Sequence, residues 1–132
     1  MKIMVVDDHT RMRAMFCELL KGPDNELKEC AGGAEALEAY AGFQPDWVIM
    51  DSAMKGLDGL SATRAIIGDF PEARVLVVGE DGIEQLRRAA RKAGACGFVT
   101  KEHLLRALRQ NPGLPLGRLE GLWTTPTQTR IQ

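Results

Sequence analysis

The sequence has few of the residues that cross-link small folds through disulfides or bind transition metals. Among its 132 residues are three cysteines, Cys17, Cys30 and Cys96, and no two of them have C-x-x-C spacing. Its two histidines, His9 and His103, lie far apart in the chain. An odd set of unpaired cysteines with two distant histidines argues against a disulfide framework or a zinc site. The cysteines are expected to be small buried hydrophobic residues.

Long apolar segments and an excess of charge of one sign are also missing. No stretch of 18 apolar residues occurs, and the N-terminus leads directly into a strand-like run rather than a signal peptide. The expectation is a cytoplasmic protein without a membrane span. The formal net charge of −1 argues against a domain-wide surface for nucleic acid or anionic lipid.

What the sequence does contain is an alternation of short strand-like runs and helical patterns. The runs lie at residues 3–6, 27–30, 47–50, 75–78 and 96–99, and the helical patterns at 12–20, 34–42, 59–68, 83–93 and 104–108. Runs that are apolar throughout are typical of strands buried on both faces. The alternation predicts an α/β fold with a parallel sheet covered by helices on both faces. No G-x-G-x-x-G follows the first run, which makes a dinucleotide-binding domain a poor alternative.

The pattern ends after Gln110. The last 22 residues hold three prolines and three glycines. We therefore predict a domain at residues 1–110 and a tail or linker at 111–132, with a short helical turn near Leu119. Trp123 could pack back on the domain or contact a partner.

Charged or polar residues follow four of the five runs: Asp7 and Asp8, Asp51, Glu80 and Asp81, and Thr100 and Lys101. Open parallel sheets bind ligands at the carboxyl ends of their strands, so these groups are expected to converge. Converging carboxylates repel one another, and both Mg²⁺ and the ammonium of Lys101 could compensate them. A metal, a nucleophilic carboxylate and a lysine are the parts needed for phosphoryl transfer to aspartate. Any single aspartate could instead be a loop residue or a helix cap, as Asp8 and Asp58 could be.

Three stretches together resemble a known family: "MVVDDH" at 4–9, "PDWVIMDSAMKGLDGL" at 45–60 and "GACGFVTK" at 94–101. Over about residues 1 to 110 the sequence resembles a response-regulator receiver domain of two-component signalling. The "DDH" and "GFVTK" details are most similar to receivers whose chains carry a helix-turn-helix output domain. The resemblance implies a flavodoxin-like (βα)5 fold with strand order 2-1-3-4-5.

The resemblance also implies roles for individual residues. Asp51 matches the phosphoacceptor, and Lys101 matches the lysine that contacts the phosphoryl group. Asp7, Asp8, Asp51 and the backbone carbonyl of Ala53 match the ligands of Mg²⁺.

Three positions depart from the family pattern. Gly79 stands where a serine or threonine hydroxyl normally binds the phosphoryl group, while Lys55 and Thr100 stand where prolines are common. Phe98 matches an aromatic switch residue, and a core phenylalanine is the alternative interpretation. Without a hydroxyl at position 79, phosphorylation is expected to survive, whereas its coupling to Phe98 is expected to be weak or rerouted.

The resemblance implies a signalling module rather than an enzyme, with self-phosphorylation and self-dephosphorylation at most. Its phosphoryl donor would be a sensor histidine kinase, and its signal would pass through the face from the fourth strand to the fifth helix. A homodimer through the fourth helix, fifth strand and fifth helix is a further expectation. The basic residues of the fourth helix, Arg87, Arg88, Arg91 and Lys92, are either a solvated face or a docking patch.

Two alternatives remain beside the phosphoacceptor. A degenerate receiver, with weak or absent phospho-switching, would act as a constitutive protein-binding or dimerisation module. Gly79 favours this alternative, and the intact Asp7, Asp8, Asp51 and Lys101 count against it. A Mg²⁺-dependent phosphatase is disfavoured, because Ala53 stands where such enzymes place their acid/base carboxylate. Residues 111–132 are too short for a helix-turn-helix domain, so the expectation is a stand-alone receiver or a part of a longer protein.

Overall fold

The computed structural model describes residues 1–80 and 84–123, and these form the predicted alternation. The strands are β1 (Lys2–Val6), β2 (Glu26–Cys30), β3 (Trp47–Asp51), β4 (Val75–Gly79) and β5 (Gly97–Thr100). The helices are α1 (Thr10–Leu20), α2 (Gly33–Phe43), α3 (Gly59–Asp69), α4 (Glu84–Lys92) and α5 (Lys101–Gln110). All strand pairs are parallel, in the order β2-β1-β3-β4-β5, which confirms the predicted sheet and topology.

The ends of the elements differ slightly from the sequence prediction. The fifth strand begins at Gly97 rather than at residue 96. The fifth helix, predicted from the leucines at 104, 105 and 108, begins before them, at Lys101. The helix begins early because the Thr100 side chain accepts a hydrogen bond from the backbone N–H of His103 and so caps it. Residue 83, predicted to lie on the apolar face of the fourth helix, is outside the described residues.

The core lies on both faces of the sheet, and alternate residues of each central strand point to opposite faces. Trp47 and Ile49 of β3 belong to the cluster that α1 and α5 cover, while Val48 and Met50 belong to the cluster that α2, α3 and α4 cover. All residues of β3 and β4 are buried. Each fully buried aliphatic side chain stabilises the folded state by about 1.5–3 kcal/mol. The burial of β3 and β4 therefore holds the carboxyl ends of these two strands in place.

The three cysteines are free, as expected. Cys17 and Cys30 are buried and Cys96 is half-buried. Burial raises the pKa of each thiol to about 11, which keeps the thiolate scarce and the sulfur unreactive at neutral pH. Within residues 1–80 and 84–123, none of the helices combines the length and the apolar character needed to cross a membrane.

The segment after α5 folds back on the domain. A 3-10 helix at Leu116–Leu119 confirms the helical turn predicted near Leu119. Leu116 and Leu119 are both buried in the cluster that α1 and α5 cover. We call residues 116–123 the C-terminal strap.

The C-terminal strap also pairs with the edge of the sheet. The backbone N–H of Phe98 donates to the carbonyl of Leu122, and the N–H of Gly121 donates to the carbonyl of Cys96, both at 2.7 Å. Trp123 forms a parallel β-bridge with Phe98. The structure therefore confirms the first interpretation of Trp123, that it packs on its own domain.

Candidate functional site

The ends of β1 and β3 bring three carboxylates together. Asp7 and Asp8 follow β1 directly, and Asp51 is the last residue of β3. One oxygen from each lies within 4.8 Å of the others. Asp7 and Asp51 are buried and Asp8 is half-buried. The predicted convergence of these acids is confirmed.

Within the described part of the chain, one oxygen of the Asp7 carboxylate is hydrogen-bonded and the other is not. Its Oδ1 accepts a hydrogen bond from the backbone N–H of His9 at 2.8 Å. Its Oδ2 is buried and has no hydrogen-bond partner among the described residues. A buried carboxylate oxygen without a donor is unfavourable, and a cation would satisfy it. Three clustered carboxylates with one unsatisfied buried oxygen fit a hard divalent cation such as Mg²⁺.

Asp8 is held by the loop after β3. Its Oδ2 accepts a hydrogen bond from the backbone N–H of Lys55 at 3.0 Å. A proline at position 55, as in the family pattern, would have no N–H to donate. The departure at Lys55 therefore adds a contact that ties this loop to the acidic cluster. The interpretation of Asp8 as a helix cap is wrong, because the N-cap of α1 is His9.

Asp51 lies in surroundings that disfavour its charge. Burial is the main cause that raises its pKa to about 6, and the neighbouring carboxylate of Asp7 raises it further. Lys101 and the backbone N–H of Ala53, which donates to Asp51 Oδ1 at 3.4 Å, act in the opposite direction. A cation bound among these carboxylates would favour the ionised form.

Lys101 faces the carboxylates from the end of β5. Its ammonium lies 3.6 Å from Asp51 Oδ1 and 3.8 Å from Glu80 Oε1. As the first residue of α5 it is positioned by the cap that Thr100 provides. The departure at Thr100 thus places a helix cap next to the lysine. Asp81, predicted at the same edge, lies outside the described residues.

Gly59 fixes the path of the loop that follows Asp51. Its backbone N–H donates to the carbonyl of Ser52 at 3.2 Å. A Cβ at this position would lie 1.9 Å from the carbonyl oxygen of Asp51, so only glycine fits. The side chain of Asp58 accepts from the N–H of Ser61 at 2.8 Å, which confirms Asp58 as the N-cap of α3. Ala53, the expected carbonyl ligand, lies exposed in this loop.

Sequence reasoning missed two positioning residues, Gly59 and Arg13. Gly59 is the glycine of the motif "LDGL" at 57–60. A glycine at this position was the available signal that the chain passes close to β3. Arg13 donates from Nη1 to the carbonyl of Asp7 at 2.6 Å and from Nε to Glu29 Oε1 at 2.9 Å. Nothing in the sequence pattern singles out Arg13, because its partners lie after β1 and in β2, outside its own helix.

Gly79 ends β4 in a crowded position. A Cβ built there would lie 2.8 Å from Leu86 Cδ2, 3.0 Å from Phe98 Cε2 and 3.0 Å from Ser52 Oγ. Phe98 is 2% exposed and belongs to the core cluster that α2, α3 and α4 cover. Gly79 and Phe98, the two predicted switch positions, therefore lie next to each other. The neighbouring side chains occupy the space that a side chain at position 79 would need.

The fold and the site define a doubly wound α/β protein with an acidic site and a facing lysine at the carboxyl edge of its sheet. The chain belongs to the family of response regulator receiver domains, which it matches over residues 3–111.

Known proteins of this family are similar over most of the chain. The chemotaxis protein CheY of Halobacterium salinarum is 35% identical over 100 residues, which are 76% of this chain and 83% of CheY. The transcriptional activator protein ExaE of Pseudomonas putida is 39% identical over 103 residues, but these are only 48% of its length. A LuxR-family two-component response regulator from Aurantimonas has a similar structure, with a TM-score of 0.80, 31% identity and coverage of 96% of this chain and 90% of that chain.

Proposed function

We propose that this receiver domain accepts a phosphoryl group on Asp51, with Mg²⁺ as cofactor and a sensor histidine kinase as donor. One observation carries the proposal: the Asp51 carboxylate lies between two further carboxylates and the ammonium of Lys101. This set has the nucleophile, the oxygen ligands and the cation that phosphoryl transfer to aspartate requires.

The reaction needs little from the protein beyond position and charge. A carboxylate oxygen of Asp51 attacks phosphorus, and an O–P bond forms as the P–N bond to the donor histidine breaks. The imidazole leaves with the electron pair of that bond and takes up a proton. Later, water attacks the phosphorus, the O–P bond breaks, and the Asp51 carboxylate and inorganic phosphate result.

The residues around Asp51 have separate roles in this scheme. Asp7, Asp8, Asp51 and the carbonyl of Ala53 would hold the metal, which when bound neutralises negative charge on the phosphoryl oxygens. Lys101 pairs with a phosphoryl oxygen. Its 3.6 Å separation from Asp51 leaves the flexible ammonium free to shift towards that anion.

The signalling surface is the face of β4, α4, β5 and α5. On α4, Glu84 pairs with Arg87 and lies 3.7 Å from Arg88 Nε, while the Arg91 guanidinium lies 4.5 Å from the Trp123 ring centre. These contacts support a salt-bridged, solvated helix face for part of the basic set. Dimerisation through this face would use the outer surfaces of α4 and α5, because the C-terminal strap pairs with the backbone of β5.

A degenerate receiver is the second candidate, and the packing around Gly79 favours it. Leu86 Cδ2 and Phe98 Cε2 lie 2.8 Å and 3.0 Å from the place where the Cβ of a residue with a switching hydroxyl would stand. In this case phosphorylation of Asp51 would be absent or would cause no large rearrangement, and the chain would bind its partners constitutively.

Phosphorylation by a small phosphodonor tests the main proposal. The full chain is incubated with acetyl phosphate and Mg²⁺, and its intact mass is measured. We expect a gain of one phosphoryl group that disappears in Asp51→Asn and persists in Asp69→Asn, an exposed aspartate at the end of α3. A mass gain that persists in Asp51→Asn would contradict the assignment of the nucleophile.

Amide chemical shifts with and without beryllofluoride separate the two candidates. The phosphoacceptor switch predicts shifts that extend from the site along β5 and α5. The degenerate receiver predicts shifts limited to residues near Asp51.

A further inference from the structure

Ser52 presents a hydroxyl beside the position where Gly79 has no side chain. The register pairs Asp51 with Val78, and the N–H of Ser52 donates to the carbonyl of Val78 at 2.9 Å, so Ser52 lies opposite Gly79. Neighbouring residues of parallel strands present their side chains on the same face of the sheet. Ser52 Oγ accordingly lies 3.0 Å from the place of a Cβ at position 79.

The Ser52 hydroxyl also makes no hydrogen bond within its own chain, among the described residues. The residue is 7% exposed. A hydroxyl that bonds no group of its own chain is available to donate to a bound anion. The hydroxyl that the family pattern has at position 79 would be bonded to that Cβ, so Ser52 Oγ lies near the place of the missing group.

We propose that Ser52 donates a hydrogen bond to the phosphoryl group on Asp51 and replaces the hydroxyl that position 79 lacks. The hydroxyl is thus moved from the end of β4 to the end of β3. No bond is made or broken by Ser52; it is a phosphoryl-binding residue. This inference rests on the proposed function, since it needs a phosphoryl group on Asp51.

The alternative role of Ser52 is to fill space against Leu86 and Phe98. An isosteric pair of variants separates the two roles, because threonine and valine have nearly the same shape and only threonine has a hydroxyl. The affinity for beryllofluoride in the presence of Mg²⁺ is measured by ¹⁹F NMR. We expect Ser52→Thr to bind within about twofold of the unmodified chain and Ser52→Val to bind about tenfold more weakly, as for the loss of one hydrogen bond to a charged group.

Moving the hydroxyl back to β4 provides a rescue experiment. Ser52→Ala removes one of the three close contacts at position 79, so a small side chain is easier to accommodate there. We expect Ser52→Ala to weaken beryllofluoride binding about tenfold, Ser52→Ala/Gly79→Ser to recover most of it, and Ser52→Ala/Gly79→Ala to recover none. The affinity for Mg²⁺ alone is expected to stay unchanged in all three, which would also show that they are folded.

Two results would overturn the role of Ser52. One is equal beryllofluoride affinity in Ser52→Ala and the unmodified chain. The other is equal weakening in Ser52→Thr and Ser52→Val, which would assign Ser52 to packing. A failure of the proposed function is distinct: the unmodified chain would then neither gain mass from acetyl phosphate nor bind beryllofluoride, and the inference would fall with it.

Discussion

The ammonium of Lys101 bridges two carboxylates on different strand ends, at 3.6 Å from Asp51 Oδ1 and 3.8 Å from Glu80 Oε1. Both distances exceed those of a hydrogen-bonded ion pair, so neither carboxylate fixes the lysine in one position. Glu80 is exposed, and its attraction is screened by water. The lysine is thus available to an anion that forms between the two strand ends.

Replacement of Lys101 should slow phosphorylation without removing the metal site. We expect Lys101→Met to accumulate acyl phosphate at least about tenfold more slowly, because a charge-assisted contact of about 1.5–3 kcal/mol is lost. Lys101→Arg should retain part of the rate, since it keeps the charge. Intact mass against time measures the rate, and calorimetry measures Mg²⁺ binding at pH 8. Lys28→Met, at an exposed residue of β2, is the control. Loss of Mg²⁺ binding in Lys101→Met would contradict the separate roles.

Neutralising Asp51 should stabilise the metal-free protein near neutral pH. The pKa of Asp51 in the folded state is about 6, above its ordinary value of 3.8. The folded state therefore holds this proton more tightly, and the contribution of Asp51 to stability falls as pH rises from about 4 through 6. We expect Asp51→Asn to raise the free energy of unfolding by about 1–2 kcal/mol at pH 7.5 and to have little effect near pH 4.

Urea unfolding in the presence of a chelator measures this effect at both pH values. Asp69→Asn is again the control, and it should change neither value by more than about 0.5 kcal/mol. Equal stability of Asp51→Asn and the unmodified chain at pH 7.5 would contradict a raised pKa at Asp51.

A methyl group at position 79 should destabilise the fold. Gly79→Ala would place its Cβ 2.8 Å from Leu86 Cδ2, closer than real side chains approach. We expect a loss of about 1–3 kcal/mol in the free energy of unfolding. Gly79→Ala/Leu86→Ala should lose less than the sum of its single variants, because the contact is removed. Gly42→Ala, in an open position of α2, should be neutral or stabilising by up to about 1 kcal/mol. If the losses of the two single variants simply add in the double variant, the contact with Leu86 is not the cause of the destabilisation.

The C-terminal strap should contribute to the stability of the domain. Leu119 is 5% exposed, so Leu119→Ala should lower the free energy of unfolding by about 2–4 kcal/mol. Arg118→Ala, its exposed neighbour, should change it by less than about 0.5 kcal/mol. Chemical denaturation of the full chain measures both. Equal effects of the two variants would contradict the packing of the strap.

Hydrophobic patterning alone predicted the sheet, because β1, β3 and β4 lie in its centre and need apolar residues on both faces. The weak pattern of β2 also has a physical reason: this strand lies at the edge, and only Cys30 in it is fully buried. Because parallel strands end at one edge, the acids at the ends of β1 and β3 could be placed together before the structure was known. The switch role of Phe98 stays a prediction.

Contacts that depend on register or on neighbouring elements could not be predicted. Ser52 and Gly79 come together only because Asp51 pairs with Val78. The segment after Gln110 resembles a linker in its three prolines and three glycines, whereas the leucines of the C-terminal strap recur at intervals of three, at 116, 119 and 122. That interval suits a tight 3-10 turn packed on one side, and it was the available signal.

The C-terminal strap also changes how the sheet presents its edges to other chains. At the β2 edge, exposed charged residues, Glu26, Lys28 and Glu29, discourage another strand from pairing. At the β5 edge, the backbone groups of Cys96 and Phe98 are already bonded to the strap. Neither edge thus favours pairing with a strand of another chain. A partner that adds a strand beside β5 must first displace the C-terminal strap.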